Sequence, residues 1–393
     1  MLRISQYIRI LLLIFIGSTI FCAIFVTFSN FLSEKIDKDA LSKPAQEDLA
    51  ISVTKWNFIR SQIGKMSLLG RWLLSSEGSS TPPIINKKRG SYLILVWKHG
   101  KFLERRHIKR FTNKKFSPWE NCTAKRCIVS YRSKDLDVAD AVVFHLHLTQ
   151  SATELPTRTK WNQKWIFLTD ESPMHTFLYG NQELWKYNGL FNWSMTYRMD
   201  SDVPVPYGRT ISRSFEYSQN KNFSKDFIKK LKTKLVTVMG SNCAGTNRRW
   251  HYVSELKLIL GNDLDIYGKC LNEYITEKVF WHGYHKLAIP VIMGAPKKNC
   301  EQLLPPRSFL HVNDFANPTA LANYIHYLNQ HDDKYFEYHE WRKYYKVINE
   351  HGYFGSISKH YCRICEALHY NFPVIKAYED IESFWNKKRD CTL

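Results

Sequence analysis

The chain of 393 residues carries 56 Lys and Arg against 36 Asp and Glu, a formal net charge of +20, and is 44% hydrophobic and 15% aromatic. This composition excludes a disordered tail, a collagen-like repeat and a disulfide-stapled miniprotein, and the length suits two domains with accessory segments. Negative mean hydropathy excludes a polytopic membrane protein, while the charge alone leaves a nucleic-acid binder, a basic membrane-surface protein and an enzyme of anionic substrates open.

Residues 1–9 form a short tail bearing Arg3 and Arg9, and residues 10–33 run without a charge through Leu, Ile and Phe. That run is long enough to span a bilayer, and it lacks the short apolar core and small-residue cleavage site of a removable signal peptide. A retained transmembrane signal anchor is predicted, with residues 1–9 cytosolic and everything after Ser33 across the membrane by the positive-inside rule. Three sequons lie beyond the span, at Asn121, Asn192 and Asn222, and so do all cysteines except Cys22. Cys122-x4-Cys127 and Cys362-x2-Cys365 suit either disulfides or a four-thiolate zinc site, and an oxidising compartment favours disulfides.

Residues 34–90 mix charged and polar stretches with Ser75–Pro83 and read as a stem, so folded structure is expected from about Ser91. Apolar runs at Tyr92–Trp97, Ala141–Leu148, Trp165–Leu168, Leu235–Met239, Asp265–Tyr267 and Ala288–Met293 predict strands. Helical periods follow Arg248-Arg249 and Pro318-Thr319. The alternation predicts an α/β fold with parallel sheets, in two lobes at 91–225 and 226–393. No internal repeat, P-loop, G-x-G-x-x-G or nucleophile elbow is present.

In open α/β sheets ligands bind at the carboxyl edge, which singles out three places. Trp165–Leu168 runs into Thr169-Asp170-Glu171-Ser172-Pro173, where a carboxylate suits proton abstraction from a hydroxyl, or simply a turn cap. Leu235–Met239 leads through Gly240-Ser241-Asn242-Cys243 to a helix near Arg248-Arg249, an arrangement that fits a phosphate. In Tyr274-Ile275-Thr276-Glu277-Lys278, a Thr276 cap would set Glu277 and Lys278 in a first helical turn, facing a diphosphate and sugar hydroxyls or only solvent. Asp200-Ser201-Asp202 matches a metal-binding D-x-D and equally a solvated turn.

These segments, with Ala139–His145, Phe191–Gly208, Tyr252–Leu256, Asp265–Cys270, Ile289–Gly294, Ser308–Phe315 and Cys362–Cys365, occur in the order found in the alpha-1,3-fucosyltransferases, which the chain resembles over most of residues 91–370. The resemblance implies a Golgi type II membrane enzyme with two Rossmann-like lobes (GT-B type), the first on the acceptor side and the second binding GDP-fucose. It implies that Glu171 is the general base of an inverting transfer of fucose to a GlcNAc hydroxyl, on a glycoprotein or glycolipid glycan. It further implies that Tyr207, Ser241, Asn242, Arg249, Tyr274, Glu277 and Lys278 contact the donor. No divalent ion is obligatory in the family, so Asp200 and Asp202 lose their metal reading, and nucleic acid is not an expected partner. Disulfides Cys243–Cys270 and from Cys122 and Cys127 to Cys362 and Cys365 are implied, with Asn192 the foremost glycosylation site; Cys300 and Cys391 are left unassigned.

One departure from the family stands out. Only Leu271, Asn272 and Glu273 separate Cys270 from Tyr274, where the resembling enzymes carry a further strand and an F-E-N-S-like sequence. The second lobe is therefore expected to be one central strand short, with loss of activity as the alternative outcome: a lumenal protein that binds a glycan or a partner without turnover.

Overall fold

The computed structural model describes residues 49–61, 66–75, 90–108, 118–119, 122–179, 182–213, 225–239, 249–267, 276–353 and 356–390. The anchor at 10–33 lies outside them, and no described helix is long and apolar enough to cross a membrane.

The first lobe is built on strands β1 (Tyr92–Val96), β2 (Cys127–Ser130), β3 (Ala141–His145), β4 (Lys164–Leu168), β5 (Trp193–Thr196) and β6 (Val203–Pro204). They form one parallel sheet in the order β2-β1-β3-β4-β5-β6. β3 and β4 are buried at every position, as their unbroken runs Ala-Val-Val-Phe-His and Lys-Trp-Ile-Phe-Leu require of strands covered on both faces. One cluster fills one face with Ile94, Val143, Ile166 and Met195, and another fills the opposite face with Phe144, Trp165 and Phe167.

Three parts of the chain pack into the fold from outside the expected boundaries. The expected stem contains helices at Leu49–Ser61 and Leu68–Leu74. Trp56 is buried and its Nε1 donates to the Leu304 carbonyl at 2.9 Å, while Leu69 and Leu73 enter the first-lobe core. Folded structure thus starts well before Ser91, because a few large apolar side chains anchor an otherwise polar stretch. The helix His360–Tyr370 also returns, with Tyr361, Ile364 and Leu368 in the same core. Disulfides Cys122–Cys362 and Cys127–Cys365, with Cα separations of 5.4 and 6.0 Å, fasten it there. Ile381 and Trp385 close the opposite face, so the last residues belong to the first lobe although they follow the second in sequence.

The second lobe carries parallel pairs β8 (Val236–Met239) with β9 (Leu264–Tyr267) and β10 (Val291–Ile292) with β11 (Leu310–His311). Helices Arg249–Leu260 and Pro318–Gln330 pack over both pairs, Asn317 capping the second by accepting from Ala320 N at 2.9 Å. Among the described residues the two pairs share no ladder. Met239 and Val291 are 41% and 42% exposed, unlike inner strands of a covered parallel sheet. Between the lobes, β7 (Gly208–Ser212) pairs antiparallel with β12 (Tyr345–Asn349). The expected strands at Tyr92, Ala141, Trp165, Leu235, Asp265 and Ala288 all appear with shifted ends; β2, β5, β6, β7, β11 and β12 are additional.

Candidate active site

Beyond β4 the chain leaves the sheet through Thr169 and Asp170 and bends at Glu171. Asp170 turns inward and is 2% exposed, whereas Glu171 is half-buried at the rim with its amide donating to Thr169 Oγ1 at 3.3 Å. Ser172 and Pro173 start a tight turn that ends the strand.

Asp170 meets residues from four distant segments. His360 Nε2 lies 2.9 Å and His351 Nε2 3.2 Å from its Oδ1, and Arg106 Nη2 lies 3.5 Å from its Oδ2. Tyr207, stacked on His351 at 3.8 Å, donates its hydroxyl to the Asp170 carbonyl at 2.9 Å. Burial alone would raise the carboxyl pKa, but His360 and His351 overrule it and hold Asp170 well below the usual carboxylate range. Burial pulls His107 far below the usual histidine value and His360 to about 4, against the opposing pull of Asp170. Near neutral pH the site therefore holds a buried carboxylate, an arginine cation and neutral imidazoles at His107 and His360.

His107, Asp170 and His360 have the composition of a metal site. However, the rings of His107 and His360 stack at 3.7 Å with 29° between planes, so their lone pairs lie in two nearly parallel planes, and an ion between the rings would sit out of both. The second such group, Cys127, Cys365 and His369, has both sulfurs in a disulfide rather than as thiolates.

In the second lobe, Thr276 Oγ1 accepts from Lys278 N at 3.3 Å, the cap anticipated for this turn, and Lys278 Nζ donates to the buried Glu277 carboxylate at 2.9 Å. A π-helical segment, Val279–His285, follows. Its Phe280 presses on Gly208, where an added Cβ would lie 2.6 Å from the ring, which brings this turn beside Tyr207. Tyr353 joins the two sides: it accepts from Arg106 at 2.7 Å and feels the fields of both Asp170 and Glu277.

A chain of contacts thus links the segments that carry Glu171, Tyr207, Glu277 and Lys278: Tyr207 bonds the carbonyl between Asp170 and Glu171, and Phe280 packs on Gly208. Arg249 opens the helix after β8. Ser241, Asn242, Cys243, Cys270, Tyr274, Asn121, Asn222 and Cys391 lie outside the described residues. Cys300 is a buried free thiol whose pKa burial pushes up to about 12. Asp200 pairs with Arg198 at 2.8 Å, and Asp202 accepts from Ser194 N at 3.0 Å and the Tyr378 hydroxyl at 2.7 Å; both carboxylates are bound up in the fold. Asn192 departs from expectation: it is 3% exposed and its Nδ2 donates to the Lys376 carbonyl at 2.6 Å, so a glycan would have to displace packed chain. Arg106, His107, His351, Tyr353 and His360 escaped the sequence reading, because their meeting depends on contacts between residues as far apart as 251 positions, with no local spacing to mark them.

Comparison with known proteins gives the same direction twice. The family described as "Fucosyltransferase, N-terminal" matches residues 89–208, and "Glycosyltransferase family 10 (fucosyltransferase) C-term" matches 270–385. Residues 209–269, with Ser241, Asn242 and Arg249, fall between these matches. Glycoprotein 3-alpha-L-fucosyltransferase A of Drosophila melanogaster is 27% identical over 69% of this chain, which spans 56% of that protein's length. Alpha-(1,3)-fucosyltransferase 7 of Bos taurus is 29% identical over 68% of this chain and 81% of its own. A crystal structure of an alpha1,3-fucosyltransferase with GDP-fucose aligns at 16% identity over 68% of this chain and 87% of its own, with a TM-score of 0.40.

Proposed function

The chain belongs to glycosyltransferase family 10, the fucosyltransferases, and from that premise we propose that it moves L-fucose from GDP-fucose to a GlcNAc hydroxyl of a glycan in alpha-1,3 linkage, with inversion. Glu171 is the general base: its carboxylate takes the acceptor hydroxyl proton as that oxygen bonds the anomeric carbon from the face opposite GDP. The bond from carbon to the phosphate oxygen breaks, and charge grows on the departing diphosphate. Lys278 and Arg249 oppose that charge, Glu277 and Tyr274 hold the sugar and Ser241 and Asn242 the phosphates, so a divalent ion is at most stimulatory. In this reading the apolar segment 10–33 anchors a type II Golgi protein with its catalytic region in the lumen, consistent with two disulfides.

The observation that carries the reading is the strand end of β4, where Glu171 stands half-buried beside a rigidly held neighbour and inside the N-terminal family match. The test is GDP release by the full chain from a secretory host, with lactosamine-type and N-glycan-core acceptors, followed by NMR of the linkage formed. Glu171→Gln should lower turnover by roughly 10²–10⁴; undiminished turnover would refute the base assignment. A second reading, a member that binds glycan without turnover, is favoured by the three residues between Cys270 and Tyr274 and by second-lobe strand pairs that share no ladder among the described residues. It predicts acceptor binding and no GDP release with any acceptor.

A further inference from the structure

We propose that Asp170 and Tyr207 act as positioning residues for the transfer, clamping the peptide that carries Glu171, and that Tyr207 does not bind the donor. The proposal rests on Glu171 being the base, and it revises the role that family resemblance gives Tyr207.

Asp170 is the residue before Glu171, so their Cα atoms are about 3.8 Å apart across one planar peptide. Fixing Asp170 at its side chain and at its carbonyl fixes one end of that peptide plane and the direction from which Glu171 leaves it. Both are held. The side chain is tied to His360, His351 and Arg106, and the carbonyl accepts the Tyr207 hydroxyl at 2.9 Å. Tyr207 is 4% exposed, its ring covered by His351. Its hydroxyl hydrogen is thus committed to the Asp170 backbone, and its burial leaves little of the ring for a ligand to meet.

Proton positions in the clamp follow from neutrality. His360 donates from Nε2 to Asp170; being neutral, it carries a bare Nδ1, which must accept the Ser358 hydroxyl at 2.8 Å. Ser358 Oγ then accepts from His107 Nδ1 at 3.0 Å. Neutral His107 is left with a bare Nε2 that faces the Asp170 carboxylate at 4.0 Å and makes no hydrogen bond. The one orphaned nitrogen of the pair is the one this ordering demands, so His107, Ser358, His360 and Asp170 form a single directed chain. Such a chain has one low-energy proton arrangement while the imidazoles are neutral, and it holds the carboxylate rigidly.

A positioning residue and a donor contact fail differently. Loss of a donor contact raises KM, whereas a displaced base lowers kcat. Tyr207→Phe keeps the ring stack and loses only the bond to the Asp170 carbonyl. We expect its kcat to fall about tenfold to a hundredfold, the scale of misplacing a catalytic group by about 1 Å, with KM for GDP-fucose changed by less than about twofold. His360→Leu should show the same split, while His360→Gln, whose amide still donates to Asp170, should restore most of kcat. A raised KM for Tyr207→Phe at unchanged kcat would overturn the proposal, as would wild-type kcat in a folded His360→Leu. If His360→Leu does not fold, the Tyr207→Phe split decides alone. Full activity of Glu171→Gln would instead remove the base assignment itself, a result separable from failure of the clamp.

Discussion

Replacing Cys122 and Cys362 by serine removes one of two bridges that close almost the same loop. Cys122–Cys362 and Cys127–Cys365 span 240 and 238 positions. By loop-closure entropy either bridge alone restricts the unfolded chain by about 5.5 kcal/mol at 25 °C. With one bridge in place, the other closes only the short ring through residues 122–127 and 362–365, which is worth about 2.5 kcal/mol. Each two-serine variant should therefore lose about 2.5 kcal/mol, and the four-serine variant about 8, roughly 3 more than the sum of the two. Urea unfolding of the first lobe, followed by tryptophan fluorescence, measures this. The slope against denaturant should also steepen in the four-serine variant, as the freed chain expands. Strict additivity would show that the two bridges do not close a common loop, and would refute the docking of the His360–Tyr370 helix on the first sheet.

Other consequences concern protons and glycans. His360 and His145 have folded pKa values of about 4 and about 3, lowered chiefly by burial. The unfolded chain takes up these protons first, so this stability is present above about pH 6.5 and is lost as pH falls through about 4, at up to about 1.4 kcal/mol per pH unit for each group. Urea midpoints measured from pH 7 to 4.5 should fall, and His145→Leu should flatten the curve relative to wild type; a midpoint that holds steady or rises on acidification contradicts the burial of these neutral rings. Asn192→Gln should leave the mass of secreted, folded protein unchanged. A glycan-sized mass loss on that substitution would mean that the segment at Lys376 opens.

Legibility in the sequence tracked locality. β3 and β4 were readable because five consecutive residues of each are buried, and the helix from Pro318 because Asn317 and proline mark its start. The stem helices were missed because Trp56, Leu69 and Leu73 are sparse anchors in a polar stretch, and their partners lie far along the chain. Glu171 could be proposed from its strand end and its motif. Its supporting histidines could not, since Ser358 and His360 acquire meaning only where they meet His107 and Asp170. A sequon likewise records a pattern and not burial, which is how Asn192 misled. The short Cys270–Tyr274 connection was plain in the sequence, but it lies outside the described residues, among which the pairs β8–β9 and β10–β11 share no ladder.

Donor binding decides most directly between a working fucosyltransferase and a silent one. Calorimetric titration of GDP into the full-length protein should reveal one saturable site, with a dissociation constant in the range of about 1 µM to 1 mM usual for enzyme substrates, weakened by Lys278→Ala. No heat of binding to protein that is folded by circular dichroism would contradict fucose transfer from GDP-fucose.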